Sequence, residues 1–359
     1  MKKFIIIALS LGVSFCALAQ SFTTTSNYTT GSPSPLFTTA SGFTISGLGV
    51  DATSGDVFYL ESGNFDGSAD TRLFRRTAAS NFASETSLFS YGSNVFGSFV
   101  RVSGGSVVFG ETHGPFSNPV GSIRTLNLAN NSSSQILSLA GVYDLAFLGA
   151  NAFLSANPSG SDNKVFKLNL STGALDTILD TGGDFSGPIA FDAAGDLLYG
   201  ATKVDFGGGF FGGIGGGIYK FTALQIASVT DADPQQMDTM LTTGSGVRIY
   251  DNGNNNYIPL VGDSHLYSLN SPFGAQATAT RLNPTNTAFS ELAALTGTNE
   301  FFGAADATSS AMYAAVTADY VNGPTAVYRV TSVPEPATCA FLGIAALLMT
   351  GRFFASRKK

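Results

Sequence analysis

Ile218-Tyr219-Lys220-Phe221 pairs two apolar residues with a basic one and a closing apolar one, and five similar stretches stand elsewhere in the chain. They are Leu73-Phe74-Arg75-Arg76, Ile123-Arg124-Thr125-Leu126, Val165-Phe166-Lys167-Leu168, Leu266-Tyr267-Ser268-Leu269 and Val327-Tyr328-Arg329-Val330. In chain order their starts are separated by 50, 42, 53, 48 and 61 residues. A strand that returns at such a period marks a repeat architecture, whereas a β-sandwich gives no reason for the same strand to recur six times.

A second element precedes several of these strands. Asp51-Ala52-Thr53-Ser54-Gly55-Asp56-Val57-Phe58-Tyr59, Asp192-Ala193-Ala194-Gly195-Asp196-Leu197-Leu198-Tyr199 and Asp306-Ala307-Thr308-Ser309-Ser310-Ala311-Met312-Tyr313 each read as a tight turn followed by a strand. Asp and Ser close such turns through side-chain hydrogen bonds, and Gly supplies positive φ. An apolar strand comes before the turn at Ile45–Val50, Val142–Leu148 and Ile189–Phe191, and a fourth strand follows at Leu175–Leu179. Units of about 40–50 residues with four strands are propeller blades. The sequence therefore predicts an all-β fold, a six-bladed β-propeller over residues 20–332. Its last unit ends at Val330 without a fourth strand, so Leu36–Thr39 is expected to pair near Val327–Val330 and close the ring.

Composition limits the function classes. Both cysteines, Cys16 and Cys339, lie in the terminal apolar segments, so the central domain has no disulfide and no thiol chemistry. Six of the 18 Lys and Arg lie at the two ends, leaving 12 basic against 25 acidic residues between Gln20 and Pro336, a net charge of −13. Such a domain is repelled by nucleic acid, and no nucleic-acid partner is expected.

The ends carry addresses. Lys2 and Lys3, a largely apolar run from Phe4 to Leu11, and Ala17-Leu18-Ala19 before Gln20 make a signal peptide over residues 1–19, which implies Sec-type export and signal peptidase as partners. At the other end, Pro334 and Pro336 hold Val333 and Glu335 extended. An apolar run follows over 337–354, read as a transmembrane helix with Arg352 able to snorkel. Arg352, Arg357, Lys358 and Lys359 form a basic end that stays cytoplasmic.

Val333-Pro334-Glu335-Pro336-Ala337-Thr338, the apolar run and the terminal basic cluster, in that order, resemble the PEP-CTERM sorting signal of bacterial exported proteins. The resemblance covers residues 333–359 and leaves the propeller's role open. It implies an exosortase that recognises and cuts the tail, and a bacterium with an outer membrane, often one that makes extracellular polysaccharide. The implied course is export, transient anchoring in the inner membrane by the C-terminus, then release to the cell surface or the extracellular space.

Candidates for chemistry are few. Glu111 and His113, at a strand end, are the best candidate pair for a site, but no nucleophile or further ligand stands at a recognisable spacing. Asn64–Asp70 and Asp251–Asn256 carry oxygen donors that invite structural calcium; neither completes a twelve-residue calcium loop, and both read as Asx-rich turns. No other cofactor or metal is expected. The glycine-rich stretch Phe206–Gly217 lacks the Lys-Ser/Thr of a phosphate loop and reads as a hairpin loop, and Asp231–Met240 reads as a polar surface insertion. Three functions remain: a non-catalytic surface or matrix protein associated with polysaccharide, a propeller hydrolase or lactonase-like enzyme with its site on the axis, or a propeller that only presents a protein-binding rim.

Overall fold

The computed structural model describes residues 22–24, 28–29, 35–63, 69–113, 120–158, 164–180, 187–201, 204–205, 210–211, 217–227, 235–236, 246–250, 257–262, 265–270, 277–282, 289–295, 301–317 and 323–332. Six antiparallel sheets follow one another along the chain. Blade 1 is Phe43–Val50, Val57–Gly63, Thr71–Arg76 and Glu85–Gly92; blade 2 is Val95–Ser103, Ser106–His113, Val120–Asn127 and Ser133–Leu139. Blade 3 is Gly141–Leu148, Asn151–Asn157, Lys164–Leu168 and Leu175–Asp180; blade 4 is Ile189–Phe191, Leu197–Ala201, Gly217–Phe221 and Gly246–Tyr250. Blade 5 is Tyr257–Gly262, His265–Asn270, Thr278–Leu282 and Phe289–Leu295; blade 6 begins with Phe301–Ala307, Met312–Thr317 and Thr325–Ser332.

The first strand of each blade contacts the first strand of the next, and that of blade 6 contacts that of blade 1, so these strands ring the axis. The molecule is a six-bladed β-propeller. Each blade is covered on both faces by its neighbours, which is why a central strand such as Val57–Gly63 is buried along its whole length. The outer strand Glu85–Gly92 has a face in water and is half exposed.

The ring closes with the N-terminal segment. Phe37 pairs with Val327 and Thr38 with Ala326, and the N–H groups of Leu36 and Thr39 donate to the carbonyls of Val327 (2.8 Å) and Thr325 (2.9 Å). The expected fourth strand of blade 6 is therefore in place, set against Thr325–Val327. Tyr28–Thr29 extends the same edge against Thr331–Ser332, and Phe22–Thr24 adds a fifth strand to blade 5. Phe37 also packs at a tilt against Tyr59 of blade 1, 5.0 Å between centroids, so closure buries an aromatic ring across the joint as well as forming backbone bonds.

The joints between blades share a device. The first strands of blades 1, 2, 3 and 6 each carry a register shift, near Ile45/Gly47, Gly97/Phe99, Val142/Asp144 and Phe302/Ala304. A bulge leaves a ladder N–H without its strand partner. In three joints a hydroxyl of the preceding blade accepts that bond. Ile45 N–H donates to Thr325 Oγ1 (3.2 Å), Gly97 N–H to Ser62 Oγ (3.1 Å) and Val142 N–H to Thr112 Oγ1 (3.3 Å). Glycine permits the close approach at one of these joints: a Cβ on Gly47 would lie 2.7 Å from the Phe99 carbonyl carbon.

The repeat read from the sequence needs two adjustments. Five of the six recurring stretches lie in third strands, but Leu266–Leu269 falls in the second strand of blade 5, whose third strand is Thr278–Leu282. Both are central strands buried on two sides, so a short apolar pattern does not tell them apart. Asp306 is likewise not the counterpart of Asp51 and Asp192. Those two follow the last paired residue of their first strands, whereas Asp306 is inside its strand opposite Tyr313, and Thr308 holds the turn position.

Within the glycine-rich stretch, Phe210–Phe211 pairs with Val204–Asp205, and Gln235–Gln236 of the polar insertion lies parallel to Leu179–Asp180 at the edge of blade 3. Ala17, Ala19, Gln20, Val333, Pro334, Glu335, Pro336, Arg352, Arg357, Lys358 and Lys359 lie outside the described residues, as does the apolar run 337–354. Among the described residues no helix is long and apolar enough to cross a membrane.

Candidate functional site

Glu111 and His113 lie on the second strand of blade 2, two residues apart and so on one face of it. Glu111 is buried. Its Oε1 accepts a 2.6 Å bond from the Ser122 hydroxyl on the neighbouring strand, and its Oε2 lies 2.8 Å from Nδ1 of the half-exposed His113. Tyr91, on the outer strand of blade 1, packs edge-on against Phe109 of the same blade 2 strand. Burial pushes the Tyr91 phenol above its ordinary value, and the Glu111 charge adds to the push. The pair is thus real as a contact, but its order is serine–glutamate–histidine. Nucleophilic catalysis needs the histidine between serine and carboxylate so that it can take the hydroxyl proton. Here Ser122 gives its hydrogen bond to the carboxylate.

The axial charges are a different set. Arg101, Asp144 and Asp306 all belong to first strands; the sequence reading does not single out Arg101 or Asp144 and assigns Asp306 to a turn. Arg101 donates to Asp144 Oδ1 (2.7 Å), to the Leu145 carbonyl (2.8 Å) and to the Leu48 carbonyl (3.0 Å), so one guanidinium joins blades 1, 2 and 3. Asp144 Oδ2 accepts the Ile189 N–H of blade 4 (2.9 Å), and Asp306 Oδ2 accepts the Val50 N–H of blade 1 (2.7 Å). Burial pushes the carboxyls of Asp144 and Asp306 above the ordinary range, while Arg101 and two backbone N–H donors pull each back. These groups spend their hydrogen bonds on neighbouring backbone and hold the ring together. The signal in the sequence was a lone charge in an apolar strand, as in Val100-Arg101-Val102. The structure does not gather Glu111, His113 and the axial aspartates into one constellation.

The third place is an open cavity of about 300 Å³ where the turn of blade 1 meets the turn of blade 6. Asp51 to Gly55 and Phe82 line one side; Thr308, Ser310, Tyr313 and Arg329 line the other. The guanidinium of the exposed Arg329 stands 6.0 Å over the Tyr313 ring. Burial pushes the Tyr313 phenol up against the pull of Arg329. Asp51 Oδ1 accepts the Thr53 N–H (3.0 Å) and Oδ2 the Ser54 hydroxyl (2.7 Å). Burial works to raise the Asp51 carboxyl, but these bonds and the charge of Arg75 outweigh it and hold the group below the usual carboxylate range. Hydroxyls, one carboxylate and one guanidinium around a small hollow make a polar site.

Among the described residues no three His, Cys, Asp or Glu side chains are placed to share a metal ion. Asn64–Ser68 and Asp251–Asn256 lie outside the described residues, so most of the first candidate calcium stretch and all of the second are not placed.

No protein-family model and no curated protein matches the sequence. Among solved structures, a chain of the mitotic checkpoint complex is similar at 11% identity, over 92% of this chain and 99% of that one, with a TM-score of 0.50. The β-propeller domain of the trilobed protease from Pyrococcus furiosus matches at 10% identity over 81% and 94%, with a TM-score of 0.44. A GH43_1 enzyme from Xanthomonas citri complexed with xylotriose matches at 9% identity over 85% and 91%, with a TM-score of 0.42. At these identities the likeness bears on fold alone and says nothing of role; the six sheets and the ring of first strands are what make this chain a β-propeller.

Proposed function

We propose that the chain is an exported, exosortase-processed propeller that serves, without catalysis, at the cell surface or in an extracellular polysaccharide matrix. The observation that carries the reading is the order of the tail, Pro-Glu-Pro, apolar run, basic end, beginning at Val333. The third strand of blade 6 ends at Ser332, one residue earlier. Cutting at the motif would therefore release a propeller with every described strand intact and the ring still closed by Phe37–Thr38. In this reading the apolar segment 337–354 holds the tail in the inner membrane as a helix until the cut, and the basic end keeps it from being pulled through. The serine–glutamate–histidine order at Glu111 supports the non-catalytic side of the proposal over a hydrolase.

Mass spectrometry of the protein from its own cells tests this. The mature chain is expected to begin at about Gln20 and to end near Pro336, and Glu335→Ala is expected to leave the tail on. Finding the Phe353–Lys359 peptide on most of the mature protein overturns processing, as does a Glu335→Ala protein with unaltered mass and location.

A further inference from the structure

The third strands of blades 1, 4 and 6 each carry a basic residue at one structural position. Arg75 lies opposite Phe58, Lys220 opposite Leu198 and Arg329 opposite Tyr313, in each case two residues after the end of the turn. In blades 1 and 4 that turn ends in a carboxylate. Asp56 Oδ2 accepts from Arg75 Nε (2.8 Å) and its Oδ1 from the Ala78 N–H (2.8 Å). Asp196 repeats the pattern, with Lys220 Nζ at 2.8 Å and the Ala223 N–H at 2.8 Å, and Asp192 adds a second contact to Lys220 at 2.6 Å. In blade 6 both carboxylate positions are lost: Thr308 replaces Asp192, and Ala311 replaces Asp196. Arg329 keeps the cation and, among the described residues, has no ion-pair partner. It lines the cavity described above.

We propose that this cavity binds the carboxylate-bearing sugar unit of an acidic polysaccharide, a hexuronate. The proposal rests on the matrix-associated reading and names its ligand chemistry. A planar guanidinium takes a carboxylate through two parallel hydrogen bonds. A site of about 300 Å³ is at the small end of ligand pockets, the scale of one sugar ring. Sugar hydroxyls need both donors and acceptors. Thr53, Ser54, Thr308 and Ser310 supply hydroxyls, and the Asp51 carboxylate, which already accepts from Thr53 and Ser54, supplies acceptor oxygens. The uncompensated cation supplies the attraction in a domain whose net charge otherwise repels anions.

Titration calorimetry on the exported domain decides it, with an oligogalacturonate, the neutral oligosaccharide of equal length, and acetate as probes. The expected result is binding of the uronate, at least about tenfold weaker binding of the neutral sugar, and no detectable binding of acetate. Arg329→Gln is expected to weaken uronate binding at least about tenfold with the urea midpoint nearly unchanged, since Arg329 is exposed. Ala311→Asp restores the partner seen in blades 1 and 4, and it is expected to abolish uronate binding while leaving the domain folded. Equal binding of uronate and neutral sugar, acetate binding as tight as uronate, or uronate binding unaffected by Ala311→Asp each overturns the proposal. So does no uronate binding at all, and that outcome leaves the tail-processing result standing by itself.

Discussion

Blades 4 and 6 share the same strand, turn and strand, and they part at two side chains. Blade 4 places Asp192 and Asp196 against Lys220; blade 6 has Thr308 and Ala311 at those two positions and Arg329 at that of Lys220. Both sheets form. A partly exposed ion pair contributes only about 0–1 kcal/mol, so a blade can lose one and remain a blade. What the strand cannot lose is its apolar pair, Ile218 and Tyr219 in one case and Val327 and Tyr328 in the other, all buried. The comparison separates the residues that build the repeat from those free to change, and the freed position is where a ligand can bind.

The largest expected effect contrasts a tyrosine of each blade's second strand, set one position apart. Tyr199 is fully buried and its hydroxyl accepts the Gly187 N–H at 3.1 Å; Tyr313 lies one step nearer its turn, under Arg329. Tyr199→Ala is expected to cost about 3–5 kcal/mol and Tyr313→Ala less, because water can enter the cavity beside it. Urea unfolding measures both. An unchanged midpoint for Tyr199→Ala, or a larger loss for Tyr313→Ala, breaks the comparison.

A smaller effect is expected at the joint on which blade 6 depends. Thr325 Oγ1 accepts the Ile45 N–H and lies 2.7 Å from Thr317 Oγ1, all within buried surroundings. Thr325→Val keeps the shape and removes the acceptor, leaving a buried N–H unmade, at about 1–3 kcal/mol. Thr325→Ser is expected to retain most of that. Hydrogen exchange at Ile45 that is no faster in the valine variant than in the wild type counts against the hydroxyl's role.

The legibility of the fold follows from the same contrast. The recurring strands were readable because they are central strands, largely buried between neighbouring blades, and so stay mostly apolar wherever they recur. The closure by Phe37 and Thr38 was readable because the last unit lacked a strand. The shift of Leu266–Leu269 to a second strand was not, since second and third strands meet the same surroundings. The partners of Arg101 and the hydroxyls set into bulges were not readable either: Ile45 and Thr325 are joined only when the ring closes. The site was the least legible part. Glu111 and His113 were found as a pair, but their order with Ser122 depends on strand register. Arg329 stands out only once the strands of blades 1, 4 and 6 are laid on one another and its missing carboxylate is seen.

The smallest effect is the most direct comparison of the two turns. Ala311→Asp is expected to add about 0.5–1 kcal/mol, because the new carboxylate would face Arg329 and occupy the place from which Asp56 and Asp196 also hold a backbone N–H. The pH dependence distinguishes a pair formed as in blade 4 from a general change. In blade 4, Asp196 is held below its ordinary value: burial opposes this, but the bond from Lys220 and the Ala223 N–H prevail. Lys220 is held above its ordinary value, against burial, by Asp192 and Asp196. A depressed carboxyl contributes stability that is present above its unfolded value and lost as pH falls through the folded one. A raised amine contributes stability that is present below its unfolded value and lost as pH rises through the folded one. Blade 4 therefore loses its contribution in acid and again in strong base. Arginine does not titrate in this range, so the gain from Ala311→Asp is expected to vanish in acid and to persist in base. Urea midpoints of wild type and variant at neutral, acid and alkaline pH measure this. A gain that survives full protonation of the carboxyls would mean that the aspartate acts through the turn backbone and not through Arg329, and it would separate blade 6 from blades 1 and 4 in mechanism as well as in sequence.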